Sequence, residues 1–237
     1  MKRLDKILSD AGVDGRRALK DLIKSGRVAV NGMPAKKADE KFDETSVTIT
    51  VDGEEIDLHT MVYYMLYKPD GVVSATDDSQ EKTVLDLLPE QICRKGVFPV
   101  GRLDKDTTGI LLLTNDGDYA HKIISPKSHV EKRYMAVTDG IADQSDVAAF
   151  ASGIELRDGT KCLPAKLEIT GTEICYVTVE EGKYHQVKRM LASRQKPVER
   201  LHRCSIGGLL LDEKLAPGEY RALTVDEQNL ALVKMTL

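Results

Sequence analysis

GRLDKDTTGILLLTNDG, residues 101–117, is the stretch that decides how this chain is read. Residues 110–113 are consecutive aliphatics between a glycine and the turn Asn115-Asp116-Gly117. A short apolar run bounded in this way predicts a buried strand. The polar loop before it is then mounted on a rigid element, where side chains can be kept in fixed geometry. In that loop Asp104 stands between Arg102 and Lys105. A carboxylate flanked by cations is expected to stay ionised, which suits a nucleophile or a base working among phosphates. Arg-x-Asp is ordinarily a surface ion pair, so these residues alone assign no role.

Composition sets the outer limits. The chain has 237 residues, enough for one large domain or for a small one and a medium one. At 41% hydrophobic and 30% charged it reads as an ordinary soluble protein. No apolar run approaches a membrane span, and the N-terminus has neither a long apolar core nor a cleavage signal. Cys93, Cys162, Cys175 and Cys204 are far apart, with no C-x-x-C, and are expected to be free thiols in a reducing cytoplasm. No G-x-G and no P-loop is present, so nucleotide-cofactor fingerprints are missing and no cofactor or metal is expected.

The formal net charge of −4 conceals strong segregation. Residues 1–37 carry a net +6, residues 38–58 a net −7 and residues 183–203 a net +6. That pattern is the footprint of a polyanion-binding protein.

The basic N-terminus has its own organisation. Leu4, Ile7, Leu8 and Ala11 recur at helical spacing, with Gly12 as a stop. Asp14 can cap a second helix carrying Ala18, Leu19, Leu22 and Ile23, which Gly26 ends. Val28 and Val30 alternate before Asn31-Gly32, a type I′ hairpin signal, and Val47, Ile49 and Val51 predict another strand before Asp52-Gly53. A small domain at 1–58 is expected, then a junction near 57–61 and a larger domain at 62–237. There, residues 63–67 predict a strand, Lys68-Pro69-Asp70-Gly71 its turn, and Val72-Val73-Ser74 the return. Helices are expected at 118–125 and 183–194, strands at 132–137 and 177–180. Gly207-Gly208 reads as a bend before a buried strand at 209–211. The mixture predicts an α+β fold around a mostly antiparallel sheet.

Letter for letter, GRLDKDTTG resembles the signature of the pseudouridine synthases, in particular the family that modifies small- and large-subunit ribosomal RNA and includes RsuA. The resemblance implies that Asp104 is the catalytic residue, supported by Arg102, and that Asp106 and Asp116 are not catalytic. It extends to the K-P-x-G turn and to HKIISPKSHVEKRYMAV (121–137), where Tyr134 falls at the family's active-site tyrosine. In EEGKYHQVKRM (180–190) the basic partner of the catalytic Asp is Lys188 when aligned through Gly182, His185 and Gln186; Arg189 is next along. His185 itself reads as a helix-start histidine bonded to the framework. LHRCSIGGLLLDEKLAPGEYRALT (201–224) carries the likeness onward.

Residues 3–12 and 16–32, RLDKILSDAG and RRALKDLIKSGRVAVNG, resemble an S4 (αL-type) RNA-binding domain. The resemblance implies that Arg3, Lys6, Arg16, Arg17, Lys20, Lys24 and Arg27 bind RNA. Cations of this kind contribute mainly sequence-independent affinity. The whole implies a cytoplasmic, monomeric enzyme without a cofactor that makes pseudouridine in ribosomal RNA, 16S by its branch, structured or in an assembling small subunit, with large-subunit RNA as the alternative. A glycosidase would need a second opposed carboxylate. A synthetase would need nucleotide signatures. A non-catalytic S4 ribosome-binding factor would have no use for Asp104, Tyr134 and Lys188.

Overall fold

A computed structural model describes residues 1–11, 13, 16–44, 46–56, 58 and 61–234, and excludes the side chains of Asp10, Arg16 and Arg17. The stop expected at Gly12, the cap at Asp14, most of the 57–61 junction and the RNA contacts of Arg16 and Arg17 lie outside the described residues. The chain divides into two compact units, Met1–Val62 with Leu88–Phe98, and Tyr63–Leu87 with Pro99–Leu237. The insertion Leu88–Phe98 comes from the stretch assigned by sequence to the larger domain. No helix among the described residues is long and apolar enough to cross a membrane, and the four cysteines form no disulfide.

In the first unit, helices α1 (Leu4–Asp10) and α2 (Arg16–Lys24) join a small antiparallel sheet. Its strands are β1 (Val28–Val30), β2 (Met33–Pro34), β3 (Ile49–Val51) and β4 (Glu54–Glu55), in the order β2-β1-β3-β4. Asn31 and Gly32, and again Asp52 and Gly53, take positive φ at both central positions, the requirement of a type I′ turn. Leu4, Ile7, Leu8, Leu19, Ile23, Val28 and Ile49 form the core. Val47 precedes the strand expected to contain it and packs on that core. Lys6, Lys20 and Lys24 are exposed. Arg3 and Arg27 are already engaged: Arg3 donates twice to Asp5, at 3.0 and 2.7 Å, and Arg27 twice to Asp52, at 2.6 and 2.5 Å.

The second unit is organised by one sheet. Its strands are β5 (Tyr63–Lys68), β6 (Thr107–Thr114), β7 (Lys132–Thr138), β8 (Lys166–Ile169), β9 (Ile174–Val179), β10 (Val198–Ile206), β11 (Leu209–Leu210) and β12 (Tyr220–Ala222). The order is β8-β9-β7-β10-β6-β5-β12, with β11 hairpinned onto β10. Only β6 and β10 pair in parallel; the other pairings along this path are antiparallel. Helices α3 (Gly117–Ile124), α4 (Gln144–Ser152) and α5 (Gln186–Ser193) follow β6, β7 and β9 in the chain. Residues 110–113 are fully buried in the middle of the sheet, which is why the run is continuously apolar rather than alternating. Gly109 has φ +112, and a β-carbon there would overlap the backbone carbonyl of Arg203, so the parallel pairing requires glycine. Asp116 caps α3, accepting from the N–H groups of Asp118 and Tyr119, and takes the Tyr63 hydroxyl at 2.8 Å.

Four expectations are corrected. Val72-Val73-Ser74 does not return as a strand: β5 pairs with β6 and β12, and Val73 makes only an isolated bridge to Thr83. The helix expected from 183 starts at Gln186, because residues 181–185 form a bonded turn. The strand expected at 177–180 spans Ile174–Val179. The stretch after Gly207-Gly208 is only half buried, with Leu209 at 4% and Leu210 at 66% exposure.

Two lysines sit where lysine is rarely found. Lys68 is fully buried and donates to the carbonyls of Pro69 (3.0 Å), Lys105 (3.0 Å) and Thr107 (2.9 Å). Lys132 donates to the carbonyls of Ile123 (2.9 Å) and Val130 (2.6 Å). Burial lowers each to about 8. Lys68→Met should therefore destabilise the protein by about 1–3 kcal/mol at pH 7, since buried carbonyls lose their donor. The folded protein releases this proton at lower pH than the unfolded chain, so wild-type stability gains from Lys68 as pH rises from about 8 towards 10.5. The methionine variant lacks that gain. Urea titrations should show its deficit smallest near pH 7 and widening towards pH 10; a constant deficit excludes the depressed lysine.

Candidate active site

The loop carrying Asp104 is pinned on both sides. The Ser74 hydroxyl donates to the Leu103 carbonyl at 2.9 Å and accepts from the Leu103 N–H at 3.0 Å. Lys68 holds the carbonyls of Lys105 and Thr107, and the Thr107 N–H donates to the Asp104 carbonyl at 3.0 Å. The Asp104 carboxylate, 25% exposed, faces a cleft of about 560 Å³. Arg102, Lys132, Tyr134, Tyr184, His185 and Arg203 also line it. That volume accommodates a nucleotide-sized ligand.

The charge around Asp104 comes from elsewhere than its chain neighbours. Lys105 pairs with Glu81 at 2.7 Å, and Arg102 is exposed at the cleft with no protein partner among the described residues. The ion pair Arg102–Asp104 that the local sequence suggests is absent. Instead α5 brings Lys188 Nζ to 3.1 Å from Asp104 Oδ2. Arg189, one residue on, points away and pairs with Asp158 at 2.5 Å. Lys188 also donates to Asp106 Oδ1 at 2.5 Å. Burial works against the Lys188 ammonium, but hydrogen bonds to Asp106 and Asp104 prevail and hold it above the ordinary lysine range. The Lys188 hydrogen bond in turn holds Asp106 below the usual carboxylate range.

His185 is not the framework histidine that the sequence suggested. Its side chain caps nothing, and Nε2 lies 3.5 Å from Asp104 Oδ1. The framework role falls to its neighbours. Buried Gln186 donates to Glu181 at 2.9 Å and accepts from the Lys183 N–H at 2.9 Å, while Lys183 Nζ reaches Glu181 at 2.5 Å. His185 takes φ +48, a left-handed state that sequence does not announce for histidine.

Tyr134 lies half-buried on β7, opposite Arg203 on β10. The buried Arg203 guanidinium donates to the Ile110 carbonyl at 2.9 Å and to the Tyr134 hydroxyl at 3.4 Å, leaving Nη2 buried without a partner. Sequence reasoning passed over Arg203 and Lys132. Alternation along β10 was the available signal, since Leu201, Arg203 and Ser205 share the buried face. The structure thus gathers Asp104, Arg102, Tyr134 and Lys188 in one unit. The cations that the S4 resemblance implies bind RNA are all in the other unit.

Comparison with known proteins gives a consistent result. The sequence model of the RNA pseudouridylate synthase family matches residues 62–193, and that of the S4 domain residues 2–47. An uncharacterized RNA pseudouridine synthase of Bacillus subtilis, YtzG, is 45% identical over 96% of this chain and 97% of its own. The ribosomal small subunit pseudouridine synthase A of Vibrio cholerae is 46% identical over 95% of this chain and 97% of its own. That of Escherichia coli is 40% identical with the same coverage. A crystal structure of a pseudouridylate synthase, 37% identical, covers 98% of this chain and 100% of its own at a TM-score of 0.70. With a carboxylate held by a lysine in a nucleotide-sized cleft, and these relatives matching nearly end to end, the chain belongs to the RsuA-type RNA pseudouridine synthases, isomerases that carry an N-terminal S4 domain.

Proposed function

We propose that this enzyme converts one uridine of small-subunit (16S) ribosomal RNA to pseudouridine, with Asp104 as its catalytic carboxylate. The observation that carries the assignment is the Asp104 carboxylate, which lines a cleft together with Tyr134 and pairs with Lys188 at 3.1 Å. The names of the Vibrio and Escherichia relatives support the choice of RNA.

The reaction breaks the C1′–N1 bond, turns the uracil and joins C5 to C1′. The proton lost from C5 balances the one gained at N1, so no outside reagent is consumed. Breaking a glycosidic bond builds positive charge on the ribose. Asp104 stabilises that charge, adds to C1′ and is released again, or draws off the 2′ proton and returns it once C5 is joined. Lys188 compensates the carboxylate while the cleft is empty and orients it towards the sugar. Tyr134 offers an aromatic face to a uracil taken out of its stack. Arg102, exposed and unpaired, supports the entering nucleotide.

One uracil edge cannot specify a site in a long RNA. Selection therefore comes from RNA shape, held by phosphate contacts at separated places. The exposed Lys6, Lys20 and Lys24 of the S4 unit supply one set. Arg3 and Arg27 add less, since each already faces a carboxylate.

Asp104→Asn should fold, bind RNA and lose activity by roughly 10³-fold or more, the scale expected of an essential nucleophile or acid–base group. Near-normal tritium release from [5-³H]uridine-labelled rRNA would remove Asp104 from that role. Lys188→Met should lower the single-turnover rate about 10²-fold, as loss of a charged partner in an active site does, and Lys188→Arg should restore part of it. Equal rates in all three proteins would make the pair incidental. Pseudouridine mapping of both rRNAs from a deletion strain tests the substrate. One 16S signal should vanish; a loss confined to large-subunit RNA would overturn the choice of subunit and leave the chemistry standing.

A further inference from the structure

Tyr184 is 73% exposed, yet its ring is fixed in place. It stacks on His185 with ring centroids 3.8 Å apart and planes 18° from parallel. Both rings line the cleft that holds Asp104. With one face against His185 and most of the residue in solvent, the opposite face of Tyr184 is open.

The segment is built to present this pair. Glu181, Lys183 and Gln186 form a bonded turn on either side of it, and Arg189 donates to the Tyr184 carbonyl at 3.4 Å. His185 adopts the left-handed backbone state, which L side chains rarely take. That state sets its ring against Tyr184 while Nε2 stays 3.5 Å from Asp104. The open aromatic face is therefore held at a fixed position relative to the carboxylate. Burial does not explain an aromatic that remains exposed.

We propose that Tyr184 is a stacking platform for the nucleobase adjacent to the target uridine. The proposal rests on reading the Asp104 cleft as the place where uridine is isomerised. Taking the target out of its stack strips its neighbour of one stacking partner. An open aromatic face beside the cleft replaces that partner and offsets part of the cost of extrusion. Every base has a π-face, so the platform tolerates any neighbouring sequence. It adds affinity at the cleft and leaves site selection to RNA shape.

The test has two readouts. With 16S transcript as substrate, Tyr184→Ala should weaken kcat/KM roughly 5- to 100-fold, the range seen when one base–aromatic stack is removed. Tyr184→Phe, which keeps the ring, should recover most of the loss. Because the side chain is exposed, the urea midpoint should not move. The chain has no tryptophan, so Tyr184→Trp introduces a single indole that can be excited apart from the remaining tyrosines. In an Asp104→Asn background its fluorescence should be quenched by the 16S transcript and not by inorganic polyphosphate, a polyanion without bases. Wild-type rates in Tyr184→Ala, or equal responses to RNA and polyphosphate, overturn the platform while the functional assignment stands. If the wild type releases no tritium from rRNA of either subunit, the functional assignment fails and the platform falls with it.

Discussion

The buried ammonium of Lys68 is the constraint on which the geometry of the cleft depends. Its three bonds go to backbone carbonyls, two of them from residues 105 and 107, just beyond the catalytic candidate. Ser74 fixes both polar groups of Leu103 on the other side. Asp104 is thus the movable side chain of an immovable piece of backbone. Loops normally supply reach at the expense of precision. Here an interior cation and an interior hydroxyl give a loop the positional definition of a strand, within the few tenths of an ångström that catalysis demands.

The electrostatics of Lys188 look inverted on distances alone. Its shorter contact, 2.5 Å, is to Asp106, and its longer one, 3.1 Å, is to Asp104. Exposure reverses the ranking. The Asp106 side chain is 70% exposed and that of Asp104 25%. Water and salt screen the outer pair, and exposed pairs contribute little. The inner contact lies in a lower dielectric, where each ångström weighs more. Asp106 is a second anchor for the lysine, and Asp104 is the partner that lines the cleft.

Much of this arrangement was legible in the sequence, and the exceptions share physical causes. The run at 110–113 announced a strand buried on both faces because nothing polar interrupts it. Asn31-Gly32 and Asp52-Gly53 announced their turns because few residues accept positive φ. The return strand at 72–74 was misread because Lys68-Pro69-Asp70-Gly71 resembles a hairpin turn. The true partners of β5 lie far along the chain, at β6 and β12, and no local pattern encodes them. In the sequence Lys68 reads as a turn residue, since lysine is seldom buried. His185 was misassigned because its direction depends on a backbone state that composition does not reveal. Asp104 and Lys188 could be paired only through the family motif, being 84 positions apart in the numbering.

The interior cations also bear on how an acidic protein handles a polyanion. Lys68, Lys132 and Arg203 are all buried, and all donate to backbone carbonyls. Carbonyl dipoles satisfy their hydrogen bonds without cancelling their charge, as a carboxylate partner would. Lys132 and Arg203 line the cleft, and Lys68 fixes its loop. Among the charged residues lining the cleft, Lys and Arg outnumber Asp and Glu, although the chain as a whole carries −4. Mobile ions screen exposed lysines strongly and buried cations weakly. The surface lysines of the S4 unit and the interior cations of the catalytic unit thus act under different rules. On the proposed reading, the first set gives affinity that varies with ionic strength, and the second is screened less.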